Sequence, residues 1–231
     1  MASLLHTQLP KALVFDLDGT LVDTAPDLTN VLNWLLAREG RAIIDEASVR
    51  HMVGRGARSL ITKGMSATGA LPNDSEMSRL FNDFIDYYGA HIADYSLPFP
   101  GVIDTLEAFR DAGILMGVCT NKPEGLSRQL LEALDMNQYF TALLGGDSLA
   151  VKKPDPAHLL KTIEALGAEP HHSVMVGDSI SDIQAAKNAR IPVVGVTFGY
   201  TDIPIEDLNP DIIIHQFADL PRALGQMLAD I

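Results

Sequence analysis

Cysteine is all but missing from this chain of 231 residues, with Cys119 the only one. That excludes an intramolecular disulfide framework and a zinc site built on cysteine pairs. Long apolar runs are missing too, none approaching the ~18 uninterrupted residues of a membrane span. Residues 1–9 carry His6, Thr7 and Gln8 ahead of any extended apolar stretch, so they lack the pattern of a secretory signal peptide. These absences point to a reduced, cytoplasmic setting with no membrane partner. Positive charge is in deficit: 17 basic residues face 30 acidic ones, a formal net charge of -13. The sign is wrong for a protein that binds by neutralising nucleic-acid phosphates, so no nucleic-acid partner is expected. The same field repels a small anionic substrate, and a phosphate site would need local cations to reverse it.

What is present is ordinary: 47% hydrophobic, 20% charged and 6% aromatic residues. That is the balance of a globular protein, not of a disordered, collagenous or coiled-coil one. At ~150 residues per domain the length suggests one full core plus a smaller insert. Ala12-Leu13-Val14-Phe15 is a short apolar run ending in Asp16-Leu17-Asp18-Gly19-Thr20, which predicts a buried parallel strand delivering carboxylates at its C-terminal end. From Pro26 the period lengthens, with Leu28, Val31, Leu32, Leu35 and Leu36 on one helix face that stops at Gly40. Asp45 is a cap for a second helix, and Gly54-Arg55-Gly56-Ala57-Arg58 is a basic turn into another. Met77, Leu80, Phe81, Phe84, Ile85 and Tyr88 give three further helical turns. No strand is expected between Leu21 and Tyr95.

Leu97-Pro98-Phe99-Pro100-Gly101 reads as a linker, after which helix and strand alternate. The pattern predicts helix 102–112, strand 115–119, a helix with Pro123 at its first position, strand 142–144 and helix 157–166. Strand 174–176, a helix bearing Asp182, strands 192–196 and 212–214 and a closing helix 220–228 follow. Parallel strands need helical crossovers, and the helices then cover both sheet faces. The expected fold is therefore α/β, a doubly wound, Rossmann-like parallel sheet formed by residues 1–22 and 97–231. Residues 23–96 are an inserted all-helical cap over the sheet's C-terminal edge, where open α/β folds bind ligands. There is no internal repeat and no low-complexity tract.

Asp16 with Asp18, Thr120 with Asn121, Lys153, and Asp178 with Asp182 all fall at C-terminal strand ends or in loops on that edge. Three converging carboxylates repel one another unless a cation sits among them. The donors are all oxygens, and no His-x-His, His-x-x-x-His or cysteine pair is available, so Mg2+ fits better than zinc. Two carboxylates flanking Leu17 suit a division of labour between a nucleophile and a proton carrier. Gly19 lets the backbone approach a phosphoryl group closely. Thr120 offers a hydroxyl, and the helix beginning near Pro123 points its amides toward an anion. Lys153 supplies the compact positive charge that the net acidity requires.

Asp16-Leu17-Asp18-Gly19-Thr20, Thr120-Asn121-Lys122, Lys153-Pro154-Asp155-Pro156 and Gly177-Asp178-Ser179-Ile180-Ser181-Asp182 resemble, in order, the four motifs of the haloacid dehalogenase superfamily of phosphohydrolases. The likeness runs from residue 12 to about residue 196, with a helical insert placed as in that superfamily's first cap class. Leu21-Val22-Asp23-Thr24-Ala25-Pro26, Thr120-Asn121-Lys122-Pro123, Gly145-Gly146-Asp147 and Phe198-Gly199-Tyr200 further resemble the bacterial phosphoglycolate phosphatase family. The resemblance implies that Asp16 is the nucleophile forming an aspartyl-phosphate and that Asp18 is the general acid and base. It implies Mg2+ held by Asp16, Asp178 and the backbone carbonyl of Asp18, and a phosphoryl group bound by Thr120 and Asn121. Lys153 neutralises that group and orients Asp16; Lys152 precedes it, and the choice between them rests on adjacency to Pro154. Asp182 is an outer partner of the metal site or of Lys153, or completes a capping arrangement with Ser179.

The implied activity is Mg2+-dependent hydrolysis of a small phosphorylated metabolite, with 2-phosphoglycolate first. A β-phosphoglucomutase-like phosphomutase, a pyrophosphatase and a sugar-phosphate phosphatase are alternatives within the superfamily. A phospho-aspartate receiver switch is the alternative of a different class, disfavoured because such domains resemble ~120-residue units without a cap. A haloacid dehalogenase proper works without metal, which the carboxylates Asp18 and Asp178 disfavour. Gly54-Arg55-Gly56-Ala57-Arg58-Ser59 lacks the last glycine of a dinucleotide fingerprint and follows a helix. Arg55 or Arg58 can aim at a substrate carboxylate or form a solvated basic turn, and Lys63 is a weaker candidate. Cys119 has Gly125 where a cysteine phosphatase needs arginine, and reads as a buried strand residue. His171 and His172 read as exposed loop residues, Trp34 as cap core, and Tyr200 as a residue within reach of the site. The oligomeric state has no sequence signature.

Overall fold

In a computed structural model, which describes residues 10–201 and 203–229, the apolar run Ala12–Phe15 forms a fully buried strand, β1. The expectation for residues 1–9 lies outside the described residues. Parallel neighbours flank β1 on both sides, β4 (Leu115–Cys119) and β6 (Ser173–Gly177). With β5 (Ala142–Leu144), β7 (Val193–Val196) and β8 (Ile212–Ile214) they make a six-stranded parallel sheet in the order β5-β4-β1-β6-β7-β8. The crossovers are α5 (Val102–Asp111), α6 (Glu124–Ala133), α7 (Pro156–Ala165) and α8 (Ile180–Ala189), and α9 (Leu220–Ala229) closes the chain.

Strand alternation divides the core between two faces. Leu13 and Phe15 join Leu106, Phe109, Phe217 and Leu224 on one side. Ala12 and Val14 join Leu159, Ile163, Ile183 and Ala186 on the other. Each fully buried Leu, Ile or Phe contributes roughly 1.5–3 kcal/mol of transfer free energy, so both faces are strongly specified. The chain leaves β1 for β4 and β5 on one side and returns to β6 on the other. A crevice therefore opens at the carboxyl ends of β1 and β6, the usual ligand position in such sheets.

Four helices follow β1 before the sheet resumes: α1 (Ala25–Arg38), α2 (Glu46–Arg50), α3 (Ala57–Thr68) and α4 (Asp74–Ala90). The stripe Leu28, Val31, Leu32, Leu35 and Leu36 of α1 is buried. Gly40 ends that helix with φ +67°, and the Arg41 N–H returns to the Leu36 carbonyl at 2.9 Å. Asp45 caps α2 by accepting from the Ser48 N–H, and Asn73 with Glu76 forms a reciprocal capping box on α4. A Cβ on Gly64 of α3 would lie 2.7 Å from Leu32, so glycine lets α3 press against α1.

Two details differ from the sequence reading. Val22–Asp23 is a short strand, β2, pairing antiparallel with β3 (Leu97–Pro98) in the stretch read as a linker. Both ends of the helical block pass through this two-residue ribbon, which is too short to show any alternation of its own. Pro123 is the cap before α6 and not its first residue, with extended ψ of 139°. Among the described residues no helix is long and apolar enough to cross a membrane.

Candidate active site

Strand register gathers the first site residues. Phe15 pairs with Val118 on β4 and with Val176 on β6. Asp16, Thr120 and Asp178 therefore leave three adjacent strands at the same lip of the sheet. The Asp16 N–H still donates to the Val176 carbonyl at 3.0 Å, which fixes its side chain against the end of β6.

Asp16, Asp178 and Asp182 bring carboxylate oxygens within 4.8 Å of one another, all buried. Burial, then the charge of Asp182, pushes the Asp16 carboxyl up to about 7 against the pull of Lys153. Burial with Asp182 and Asp16 raises Asp178 well above the ordinary carboxylate range. Lys153 Nζ lies 2.9 Å from Asp16 Oδ1 and 2.6 Å from Asp182 Oδ1. Burial disfavours its ammonium form, but the two carboxylates outweigh that and raise its pKa. Lys152, by contrast, is exposed and reaches the Arg55 carbonyl at 3.4 Å. The other oxygen of Asp182 accepts from the Ser179 N–H at 3.0 Å and hydroxyl at 2.7 Å. One carboxylate thus both caps α8 and holds Lys153, the two roles the sequence left open.

Two glycines press close against Asp178. A Cβ on Gly199 would lie 2.2 Å from its Cβ, and one on Gly19, at φ +87°, would lie 2.5 Å from its Oδ2. Among the described residues its oxygens accept from neutral donors, the Thr20 hydroxyl at 2.9 Å and the Tyr200 N–H at 2.7 Å. The Tyr200 hydroxyl donates to Asp23 at the ribbon and accepts from the Ala25 N–H at 3.0 Å. Arg50 binds the other oxygen of Asp23 at 2.8 Å. Tyr200 thereby ties Asp178 to the neck of the helical block.

Asp18 accepts from the Thr24 hydroxyl at 2.8 Å and from Lys122 Nζ at 3.0 Å. Lys122 Nζ also donates to the Tyr88 hydroxyl of α4 at 2.6 Å. Its side chain is 3% exposed; burial lowers its pKa, and Asp18 opposes the fall. The sequence reading quoted Lys122 only as part of a motif, and Thr20, Thr24 and Tyr88 not as site residues at all. The available signal was the acidic net charge, which asks for more than one local cation.

Asp16, Asp18, Thr120, Asn121, Lys122 and Tyr88 are in the wall of one cavity, which Gly54, Gly56 and apolar residues of the helical block complete. Thr120 Oγ1 accepts from the Lys122 N–H at 3.2 Å, which leaves its own proton free to donate. The Asn121 amide donates to the Lys153 carbonyl at 3.1 Å and so braces the lysine loop. The first amide of α6, that of Glu124, is taken by Asp147 at 2.7 Å. Neither Arg55 nor Arg58 is in this wall: Arg55 borders a neighbouring groove beside Lys152, and Arg58 stacks over Phe81 at 5.3 Å.

The chain is similar along most of its length to known proteins. A phosphoglycolate phosphatase of Agrobacterium fabrum is 46% identical over 215 residues, 93% of this chain and 92% of that one. One of Caulobacter vibrioides is 46% identical over 227 residues, 98% of this chain and 95% of its own. Among solved structures, a predicted phosphoglycolate phosphatase from Haemophilus somnus superposes with a TM-score of 0.87 at 35% identity, covering 92% of this chain and 96% of that one. Residues 13–196 match the haloacid dehalogenase-like hydrolase family, and they contain every buried carboxylate and ammonium group of the site; the chain belongs to that family.

Proposed function

We propose that this chain is a phosphatase that cleaves 2-phosphoglycolate to glycolate and phosphate, with Asp16 as nucleophile. The observation that carries the reading is the buried contact of Asp16 with Lys153 at 2.9 Å, beside Asp178 on the adjacent strand end. Asp16 is thereby a fixed carboxylate with a cation at its back, suited to attack on phosphorus. Thr120, with a free hydroxyl proton, and the Lys153 ammonium stabilise the transferring group, because phosphoryl transfer needs mainly positioning and charge compensation.

The donor set fits Mg2+. Asp16 and Asp178 are buried and close together, Asp16 shares Lys153 with Asp182, and the hydrogen-bond partners of Asp178 among the described residues are neutral. Asp16, Asp178 and the Asp18 carbonyl would hold the ion, a hard, all-oxygen environment. When bound, it supplies neutralisation of the phosphoryl oxygens and of the carboxylates around them. Asp182 stays with Lys153 and Ser179.

The chain's own residues divide the remaining work. Asp16 forms a bond to phosphorus as the ester P–O bond breaks, and the departing glycolate oxygen takes a proton from Asp18. Water then attacks the aspartyl-phosphate, giving its proton to Asp18, and free phosphate leaves with Asp16 restored. Thr24 and Lys122 hold the Asp18 carboxylate in place for both proton transfers. The cavity lies between the sheet edge and the helical block, so residues 23–96 act as a cap that swings away at the β2–β3 ribbon and closes over the substrate to exclude water. The buried thiol of Cys119, pushed up to about 12 mainly by burial, is unreactive; the proposed setting is the cytoplasm, the usual home of chains without a disulfide framework.

Phosphate release tests the reading, measured with 2-phosphoglycolate, pyrophosphate and hexose phosphates in Mg2+ and in a chelator. 2-Phosphoglycolate should turn over best and the chelator should abolish turnover. A preference of about a hundredfold for another ester, near 2.7 kcal/mol, overturns the substrate. Full activity in the chelator overturns the chemistry.

A further inference from the structure

The cavity that brings Asp16 and Thr120 together contains a second polar centre that the phosphoryl chemistry does not use. Among its described wall residues Lys122 is the only cation. Lys153 is turned toward Asp16 and Asp182, and Arg55 and Arg58 lie elsewhere. Lys122 belongs to the sheet edge, while its partner Tyr88 belongs to α4 of the helical block. An ammonium group has three protons. One is shared between the two Asp18 oxygens, at 3.0 and 3.4 Å, and one goes to the Tyr88 oxygen at 2.6 Å, which leaves the third for the cavity. Tyr88 accepts in that bond and keeps its own O–H to give away, and burial holds it in the protonated form. Two donors of high charge density thus meet where the block touches the sheet, with Phe84, Leu126 and Leu28 as apolar walls.

From this geometry we infer that Lys122 Nζ and the Tyr88 hydroxyl form the receptor for a carboxylate at the far end of the substrate. The inference rests on the phosphatase reading above and names what that reading leaves open, the group that selects a short acidic phosphomonoester over a neutral one. The two donors come from opposite sides of the cavity, so the receptor is complete only with the block closed. A substrate carboxylate accordingly joins the two halves, and an ester without one leaves the Lys122 proton and the Tyr88 O–H unpaired in an apolar enclosure. Unpaired buried donors are costly, which makes discrimination against the neutral ester steeper than attraction alone provides.

The test compares 2-phosphoglycolate with ethyl phosphate, which has the same carbon count and ends in a methyl group. The Mg2+-loaded enzyme is assayed with both, and the ratio of the two kcat/KM values is read. Any loss of support for Asp18 falls at least as heavily on ethyl phosphate, which has the more basic leaving oxygen, and so cannot imitate a fall in the ratio. The wild type should favour the carboxylate by about a hundredfold or more, the scale of paired charge-assisted hydrogen bonds. Lys122→Met should bring the ratio within about threefold of one, and Tyr88→Phe should cut it about tenfold, chiefly through KM. An unchanged ratio in both variants overturns the receptor and leaves the substrate reading standing. A wild-type ratio near one overturns both. Should Lys122→Met fail to fold, the milder Tyr88→Phe decides: an undiminished preference in it refutes the shared receptor.

Discussion

Replacing Asp16 by Asn should abolish phosphate release and, in a chelator, make the protein more tolerant of alkaline pH. The folded protein holds the Asp16 proton up to about 7, whereas its ordinary value is 3.8. Between those values the native state binds a proton that the unfolded chain has lost. Stability therefore falls as pH rises through that window and is level above it. From pH 5 to pH 8 the loss spans roughly two pH units at 1.36 kcal/mol each, about 3 kcal/mol. Asparagine escapes this loss. Removing the Asp16 charge also relieves Asp178, which Asp16 helps to raise, so the coupling acts in the same direction. Lys153 loses one carboxylate in the variant but stays protonated across the range, an offset that cancels between the two pH values. At 2–4 °C per kcal/mol for a chain of this size, the Tm of Asp16→Asn should gain roughly 5–10 °C on the wild type between pH 5 and pH 8. Thermal unfolding followed by circular dichroism in EDTA reads this directly. Parallel Tm shifts in the two proteins would refute the assignment of a proton to buried Asp16, and undiminished turnover would remove it from the chemistry.

Two further substitutions probe the surroundings of Asp178. Gly199→Ala sets a Cβ 2.2 Å from the Asp178 Cβ, so Mg2+ affinity by calorimetry should fall by at least about tenfold, the scale seen when groups that orient metal ligands are lost; wild-type affinity would show that Asp178 holds no metal. Tyr200→Phe strips Asp23 of a donor and the Ala25 N–H of an acceptor, at a cost of about 1–3 kcal/mol. Urea unfolding measures that loss, and a change below roughly 0.5 kcal/mol, the scatter of ordinary surface substitutions, would mean that the neck does not depend on Tyr200.

The chain announces its core plainly and its coupling residues hardly at all. β1 was readable because four apolar residues run straight into a carboxylate, a pattern that a solvated loop does not produce. Asp178 and Lys153 were readable for the same kind of reason, each standing at a strand end or beside a proline-marked turn. Lys122 was not, because its burial depends on Asp18, 104 positions away, and on Tyr88, 34 positions away. Asp27 was hidden likewise. As a first-turn acid of α1 it resembles any residue that complements a helix dipole, yet it is 1% exposed and accepts from the Tyr95 and Ser96 amides and the Ser96 hydroxyl. It thereby fastens the entry of the helical block to its exit, a tie invisible to any local pattern.

Charge accounts for why these distant partners are needed. Four carboxylates, Asp16, Asp18, Asp178 and Asp182, share the lip of the sheet with two ammonium groups, those of Lys122 and Lys153. With all four ionised, two negative charges would remain, and a bound dication would cancel them. The neutral site that would result could accept a phosphate ester in spite of the net charge of -13 on the whole chain, because buried charges interact far more strongly than those dispersed over a screened surface. The two ammonium groups cannot exchange duties. Lys153 is fixed between Asp16 and Asp182 at the phosphoryl end, and Lys122 between Asp18 and Tyr88 at the other. Losing Lys153 would leave Asp16 and Asp182 facing each other without a counter-charge, whereas losing Lys122 would spare that pair and free Asp18. The first change acts on phosphoryl transfer for every ester. The second distinguishes between esters according to what they carry at the far end.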